Sequence, residues 1–146
     1  KKCQPIDIEK ANSNYSNVVL DKFYLFTEEF KQWKTIIFLD ADIIVKEPLN
    51  NLAKTKKFAA VQDMYFNKLD SQLKNPDDAD KIKANYDLNA PVFNTGVFVF
   101  NTKIIYTELF NDLIDIAKKY LPFARYPDQV ILNLYFYKKW KKLPII

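Results

Sequence analysis

Thr35-Ile36-Ile37-Phe38-Leu39-Asp40-Ala41-Asp42 is the stretch on which the fold turns. Its β-prone residues run together without polar alternation, the pattern of a strand buried on both faces. Two carboxylates close it, two positions apart. Residues i and i+2 of an extended segment point the same way. Asp40 and Asp42 would then share a face at the C-terminal end of the strand, where open α/β sheets bind ligands. Two adjacent carboxylates repel unless a cation lies between them, and a hard divalent ion held by carboxylate oxygens also bridges phosphates. The other reading is a solvent-facing pair that caps the loop.

Outward from this strand, helical and extended patterns alternate, which predicts an α/β sheet. Upstream, Leu20, Phe23, Tyr24 and Phe26 crowd at near-helical spacing, predicting a helix from Val18 that ends before Trp33. Downstream, Ile43-Ile44-Val45 reads as extended, Pro48 opens a helical turn through Leu52, and Phe58-Ala59-Ala60-Val61 is a second buried strand ending near Asp63. Residues 64–90 are polar, with a turn or helix start at Asn75-Pro76-Asp77-Asp78; a stretch of this length predicts a functional loop or an insertion. Pro91 to Phe100 returns to strand character. Ile105, Leu109, Leu113, Ile116 and Tyr120 predict an amphipathic helix from about Thr102 to Tyr120, ended by Pro122. Asp128 to Tyr137 reads as another helix, with Asp128 placed like an N-cap after Pro127. Trp140 to Pro144 reads as a short final strand.

Composition narrows the chemistry. The 146 residues are 49% hydrophobic and 16% aromatic, enough for one domain with a real core. A net charge of +4 with lysines in short, scattered runs gives no nucleic-acid footprint. No apolar run approaches the roughly 18 residues of a membrane span. The lone Cys3 excludes an internal disulfide and cysteine metal clusters, and there is no histidine. Gly96 is the one glycine, where roughly ten are usual for this length. Set inside a strand pattern, it signals a bulge or a close backbone approach.

Three further sites each carry two readings. Asn94-Thr95-Gly96 offers an amide to a ligand hydroxyl, or is a bulge. Asp128-Gln129 is a helix cap, or a polar pair aimed into an active site. Lys22 is a surface lysine whose stem covers the core, or a cation for a diphosphate.

Taken in order, Lys22-Phe23, Phe38-Leu39-Asp40-Ala41-Asp42, Ala59-Ala60-Val61-Gln62-Asp63, Phe93-Asn94-Thr95-Gly96-Val97-Phe98-Val99, Asp128-Gln129-Val130-Ile131-Leu132-Asn133 and Trp140-Lys141-Lys142-Leu143-Pro144 resemble the retaining glycosyltransferases of family 8. That family includes glycogenin and the bacterial lipopolysaccharide galactosyltransferases, and the wording of the motifs is nearest to glycogenin. The resemblance implies a GT-A, Rossmann-like α/β fold: a mixed, mostly parallel sheet flanked by helices, here as one partial domain over 1–146. It implies a Mn²⁺ ion, with Mg²⁺ as the alternative, on Asp40 and Asp42. Asp40, Lys22, Asp63, Asn94, Thr95 and Gly96 would bind a UDP-sugar, and Asp128 and Gln129 would stand at the reaction centre, Gln129 beneath the anomeric carbon. A hexose, glucose or galactose, would pass to a carbohydrate or protein hydroxyl.

Gln129 is an amide and not a strong nucleophile, which favours front-face attack over a covalent double displacement. The family's first strand and uracil-binding loop would precede residue 1, and its third metal ligand, a histidine, would follow Leu143-Pro144. A homodimer is compatible with the resemblance, and the cytoplasm is the favoured compartment. Two rivals stand beside this reading: a non-catalytic sugar-nucleotide-binding fragment, and an Asp-x-Asp phosphatase, whose usual glycine-aspartate motif is absent here.

Overall fold

The computed structural model describes Ile6, Ile8 and residues 17–144; Cys3 and the terminal Ile145-Ile146 lie outside them. Four strands, β1 (Thr35–Leu39), β2 (Phe58–Gln62), β3 (Phe93–Asn101) and β4 (Lys141–Lys142), form one sheet in the order β1-β3-β2-β4. Three α-helices, α1 (Ala79–Ile82), α2 (Leu109–Tyr120) and α3 (Pro127–Tyr135), and several 3₁₀ turns complete the described residues.

The sheet is mixed, as expected, but it is not mostly parallel. β3 runs antiparallel to both β1 and β2, and the parallel pairing is β2 with β4. The chain path explains this. β2 ends at Gln62, the 64–90 segment stays at that end of the sheet, and β3 starts beside Gln62 at Phe93 and runs back. β1 has one strand neighbour among the described residues and is half-buried along its length rather than buried on both faces.

Side chains alternate across the sheet with period two. Phe38, Phe58, Ala60, Phe98 and Phe100 join the large core, while Ile37, Ala59, Val97 and Val99 meet Leu143 and Leu52 on the other face. The large core is aromatic: Phe58 stacks on Phe136 at 3.9 Å between ring centres, and Phe26 on Phe100 at 4.6 Å. At 4.6 Å the Phe26–Phe100 pair falls in the range where ring contacts add to the burial of their area.

The first helix lies where its sequence predicts but is 3₁₀ throughout, Asn17–Phe26. Leu20, Phe23 and Phe26 are all fully buried and three residues apart, so they align on one face at the three-residue turn of a 3₁₀ helix. The long downstream helix begins later than predicted. Thr102–Ile104 is a 3₁₀ turn whose first N–H groups include Lys103 N, bonded to the Asn101 side chain, and α2 starts at Leu109.

α3 is the central helix, buried from Pro127 to Leu134. Asn133 fixes it to the sheet: its Oδ1 accepts from Phe93 N at 2.9 Å, and its Nδ2 donates to Phe93 O at 2.8 Å. The 64–90 segment is an ordered wall. It contains α1 and two 3₁₀ turns, and it buries Leu69, Gln72, Leu73 and Ile82. It also pairs with the approach to α3, where Lys74 N donates to Phe123 O and Arg125 N donates to Gln72 O, both at 2.9 Å.

Candidate active site

At the C-terminal end of β1 the chain leaves the strand through Asp40. The Asp40 N–H donates to Gly96 O at 2.8 Å, which extends the β1–β3 ladder by one step. Ala41 and Asp42 then turn, and Ile43 N donates back to Asp40 O at 3.1 Å. Asp42 therefore sits on an exposed turn, and strand alternation does not set its direction relative to Asp40.

Asp40 continues the face of β1 that carries Phe38, the face covered by the first 3₁₀ helix. Lys22 projects from that helix over the Phe38 ring, 4.8 Å from its centre. Its ammonium bridges two carboxylates, Asp40 Oδ1 at 3.1 Å and Asp128 Oδ2 at 2.8 Å, and it also reaches Thr95 O at 3.4 Å. Burial pulls the Lys22 pKa down, but Asp128 first and Asp40 second more than offset this, and the net shift is upward. Lys22 thus stays protonated at neutral pH.

Asp128 does not cap α3. The N-cap is Tyr126, Pro127 occupies the first turn, where its missing N–H costs nothing, and the Asp128 carboxylate is taken by Lys22 and by Thr95 Oγ1 at 2.9 Å. The next residue faces a second cluster. Gln129 Nε2 donates to Asp63 Oδ2 and to Gln72 Oε1, both at 2.9 Å, while Gln129 Oε1 accepts from Thr95 N at 3.2 Å. Asp63 is held in turn by the N–H groups of Tyr65 and Phe66, both at 2.9 Å. Buried Thr95 is the hinge between the clusters. Gln72 was not legible as a site residue, because it lies in a polar segment with no motif around it.

Gly96 serves close approach. Its φ is not in the left-handed region, but a Cβ there would stand 2.8 Å from Asn94 Oδ1 and 2.9 Å from Asp40 Oδ2. The pairing of β2 with β3 also shifts register beside it, between Ala60 and Gln62. Both readings of the glycine, bulge and close approach, therefore apply. Asn94 Oδ1 accepts from Gly96 N at 2.7 Å, and the Asn94 residue is exposed.

A cleft of about 580 Å³ opens over this end of the sheet, bounded by Lys22, Asp40 and Asp128 together with Asp21, Phe38 and Tyr126. The family 8 model for glycosyl transferases matches residues 5–145. The chain belongs to glycosyl transferase family 8. A lipopolysaccharide 1,2-glucosyltransferase of Escherichia coli is 35% identical over 120 residues, which cover 75% of this chain and 32% of that protein. The apo structure of the bifunctional glycosyltransferase WbbM matches with a TM-score of 0.70 at 22% identity, over 90% of this chain and 25% of that one; this likeness speaks for the fold. The chain thus spans about a third of the first protein's length and a quarter of the second's.

In this family 8 chain the sequence-predicted residues fall into place unevenly. Lys22, Asp40, Thr95 and Asp128 meet in one cluster, Asp63 and Gln129 in the other, and Asn94 and Gly96 lie along the β3 segment beside Asp40. Asp42 joins neither cluster. No group of three His, Cys, Asp or Glu side chains is arranged to hold a metal among the described residues. What Asp40 and Asp42 offer is part of a hard-oxygen set. That suits a divalent cation completed by phosphate oxygens and water, the usual manner of Mg²⁺ at phosphate sites. No helix of the described residues is long and apolar enough to cross a membrane.

Proposed function

We propose that the chain is the donor-binding part of a retaining hexosyltransferase that moves a hexose from a UDP-sugar to a carbohydrate hydroxyl. The observation that carries this reading is Lys22, a half-buried ammonium bridging Asp40 and Asp128 at the edge of the cleft. One cation between two carboxylates leaves a net negative charge, so a diphosphate would enter together with the divalent cation that Asp40 and Asp42 would hold, and Lys22 could then turn from a carboxylate to a phosphate oxygen. The name of the Escherichia coli relative favours glucose as the sugar and lipopolysaccharide as the source of the acceptor hydroxyl.

Asp40 and Asp42 would hold the Mn²⁺ or Mg²⁺ ion, which supplies a Lewis acid against the charge building on the departing diphosphate. The remaining work belongs to the protein's own groups. Asp128, held by Lys22 and Thr95, orients a hydroxyl of the donor sugar. Gln129 presents its amide oxygen, which has one lone pair beyond its bond to Thr95 N, toward the positive charge that develops at the anomeric carbon. Asp63 fixes that amide from behind. The acceptor hydroxyl attacks on the face the diphosphate leaves, so configuration is retained, and its proton passes to the leaving phosphate oxygen. Holding these partners in place is worth several powers of ten in rate.

The test is transfer of labelled hexose from UDP-glucose and from UDP-galactose to lipopolysaccharide core acceptors, with Mn²⁺, with Mg²⁺ and with chelator. Metal-dependent transfer from one donor supports the reading. UDP binding by calorimetry without turnover of any donor would establish the binding-only alternative, which the two-carboxylate metal set keeps in view.

A further inference from the structure

We infer that Gln72, from the 64–90 segment, is a positioning residue that acts beside Asp63 to hold the donor end of the Gln129 amide and so steady its oxygen at the reaction centre. This rests on the placement of Gln129 at that centre. A glutamine amide has a donor end and an acceptor end of nearly the same shape, and its neighbours alone decide between the two orientations. Here the decision comes from groups that cannot turn over, and Asp63 Oδ2 shares it by accepting from Gln129 Nε2 at 2.9 Å. Gln72 Nε2 donates to the backbone carbonyl of Phe66 at 2.8 Å, so Gln72 Oε1 is the end left to meet Gln129. That oxygen accepts from Gln129 Nε2 at 2.9 Å. Thr95 N, a backbone donor, binds the opposite end at Gln129 Oε1.

Gln72 is fully buried, and its own backbone carbonyl accepts from Arg125 N at 2.9 Å, directly before α3. The chain Phe66 O, Gln72, Gln129, Thr95 N is thus polarised in one direction from one backbone group to another. It leaves the oxygen of Gln129 on the Thr95 side. A segment that reads as an insertion therefore supplies a residue that works through the centre.

In the intact protein, Gln72→Met keeps the side-chain length and removes both ends of the amide. The expected result is a kcat about tenfold lower, with the KM for the UDP-sugar within about twofold of wild type. In a Gln129→Ala background the same substitution should change kcat by less than about twofold, because its target is gone. A wild-type kcat for Gln72→Met overturns the inference, and so does an undiminished loss in the Gln129→Ala background, the mark of a residue that only supports the fold. Gln72→Glu keeps the test open if Gln72→Met does not fold. A neutral Glu side chain donates and accepts as the amide does, whereas an ionised one cannot donate to Phe66 O. Its kcat should fall, relative to wild type, as pH rises; a parallel pH profile overturns the inference. A Gln129→Ala protein with full activity instead removes the placement of Gln129, which separates that failure from one confined to Gln72.

Discussion

Asp40 and Gly96 face one another across β1 and β3 so closely that the carboxylate fills the space a side chain would need. The Asp40 N–H is bonded to Gly96 O at 2.8 Å, and Asp40 Oδ2 lies 2.9 Å from the position of a Cβ on Gly96. Gly96→Ala should therefore push Asp40 and Asn94 aside while leaving both strands paired. The expected outcome is loss of at least tenfold in kcat/KM and weaker Mn²⁺ activation, with the circular dichroism spectrum unchanged. Wild-type metal activation in this variant would show that the contact is idle.

Asp42 lies on an exposed turn and touches neither cluster, so it serves a ligand or nothing. Asp42→Asn should abolish metal-dependent transfer while stability stays within about 0.5 kcal/mol of wild type, as for other surface substitutions. Activity and urea unfolding measured on the same preparation check both halves.

Lys22 is the one cation shared by Asp40 and Asp128 among the contacts described above. Lys22→Met leaves a nearly buried Asp128 carboxylate without its counter-charge and should destabilise the fold by about 2 kcal/mol. The pH dependence has a definite sign. The folded-state pKa is raised above the ordinary 10.5, so this stabilisation is fully present at neutral pH and is lost as pH climbs through the raised value. The difference between wild type and Lys22→Met in urea unfolding should be constant near neutrality and shrink in strong alkali. A difference that grows with alkali would contradict the ion pair.

Asn133 occupies both backbone groups of Phe93 from the last turn of a buried helix. Asn133→Ala strands a buried N–H and a buried C=O, at about 1–3 kcal/mol each before relaxation. A loss of about 2–4 kcal/mol is expected, read as a lower urea midpoint with an unchanged slope.

Much of this was legible in the sequence, for local reasons. The apolar run ending in Asp40 and the four-residue rhythm of Leu109 and Leu113 are set by neighbours in the chain, and the elements formed where the patterns lay. The 3₁₀ character of the first helix was not legible, because the three-residue spacing of Leu20, Phe23 and Phe26 matches an α-helical stripe over so short a span. What else the sequence hid was relational. Pairing direction in the sheet depends on where the 64–90 segment returns the chain. Asp128 resembles a cap, since nothing local reveals that Lys22, 106 positions earlier, will take its carboxylate. Gln72 has no local signature, because its partners come from Phe66, Gln129 and Arg125.

The place of β3 between β1 and β2 has a consequence for how the protein is made. A ribosome releases Thr35–Leu39 and Phe58–Gln62 long before Phe93–Asn101 emerges, and the two earlier strands do not pair with each other. Until then Ile36, Ile37, Phe38 and Leu39 form an apolar segment with open backbone groups, the kind that associates with other chains. The Lys22–Asp128 bridge waits longer still, for α3. Among the described residues, Thr35–Leu39 thus has no strand to pair with until Phe93–Asn101 is made, and helper proteins that shield apolar segments during synthesis should raise the yield.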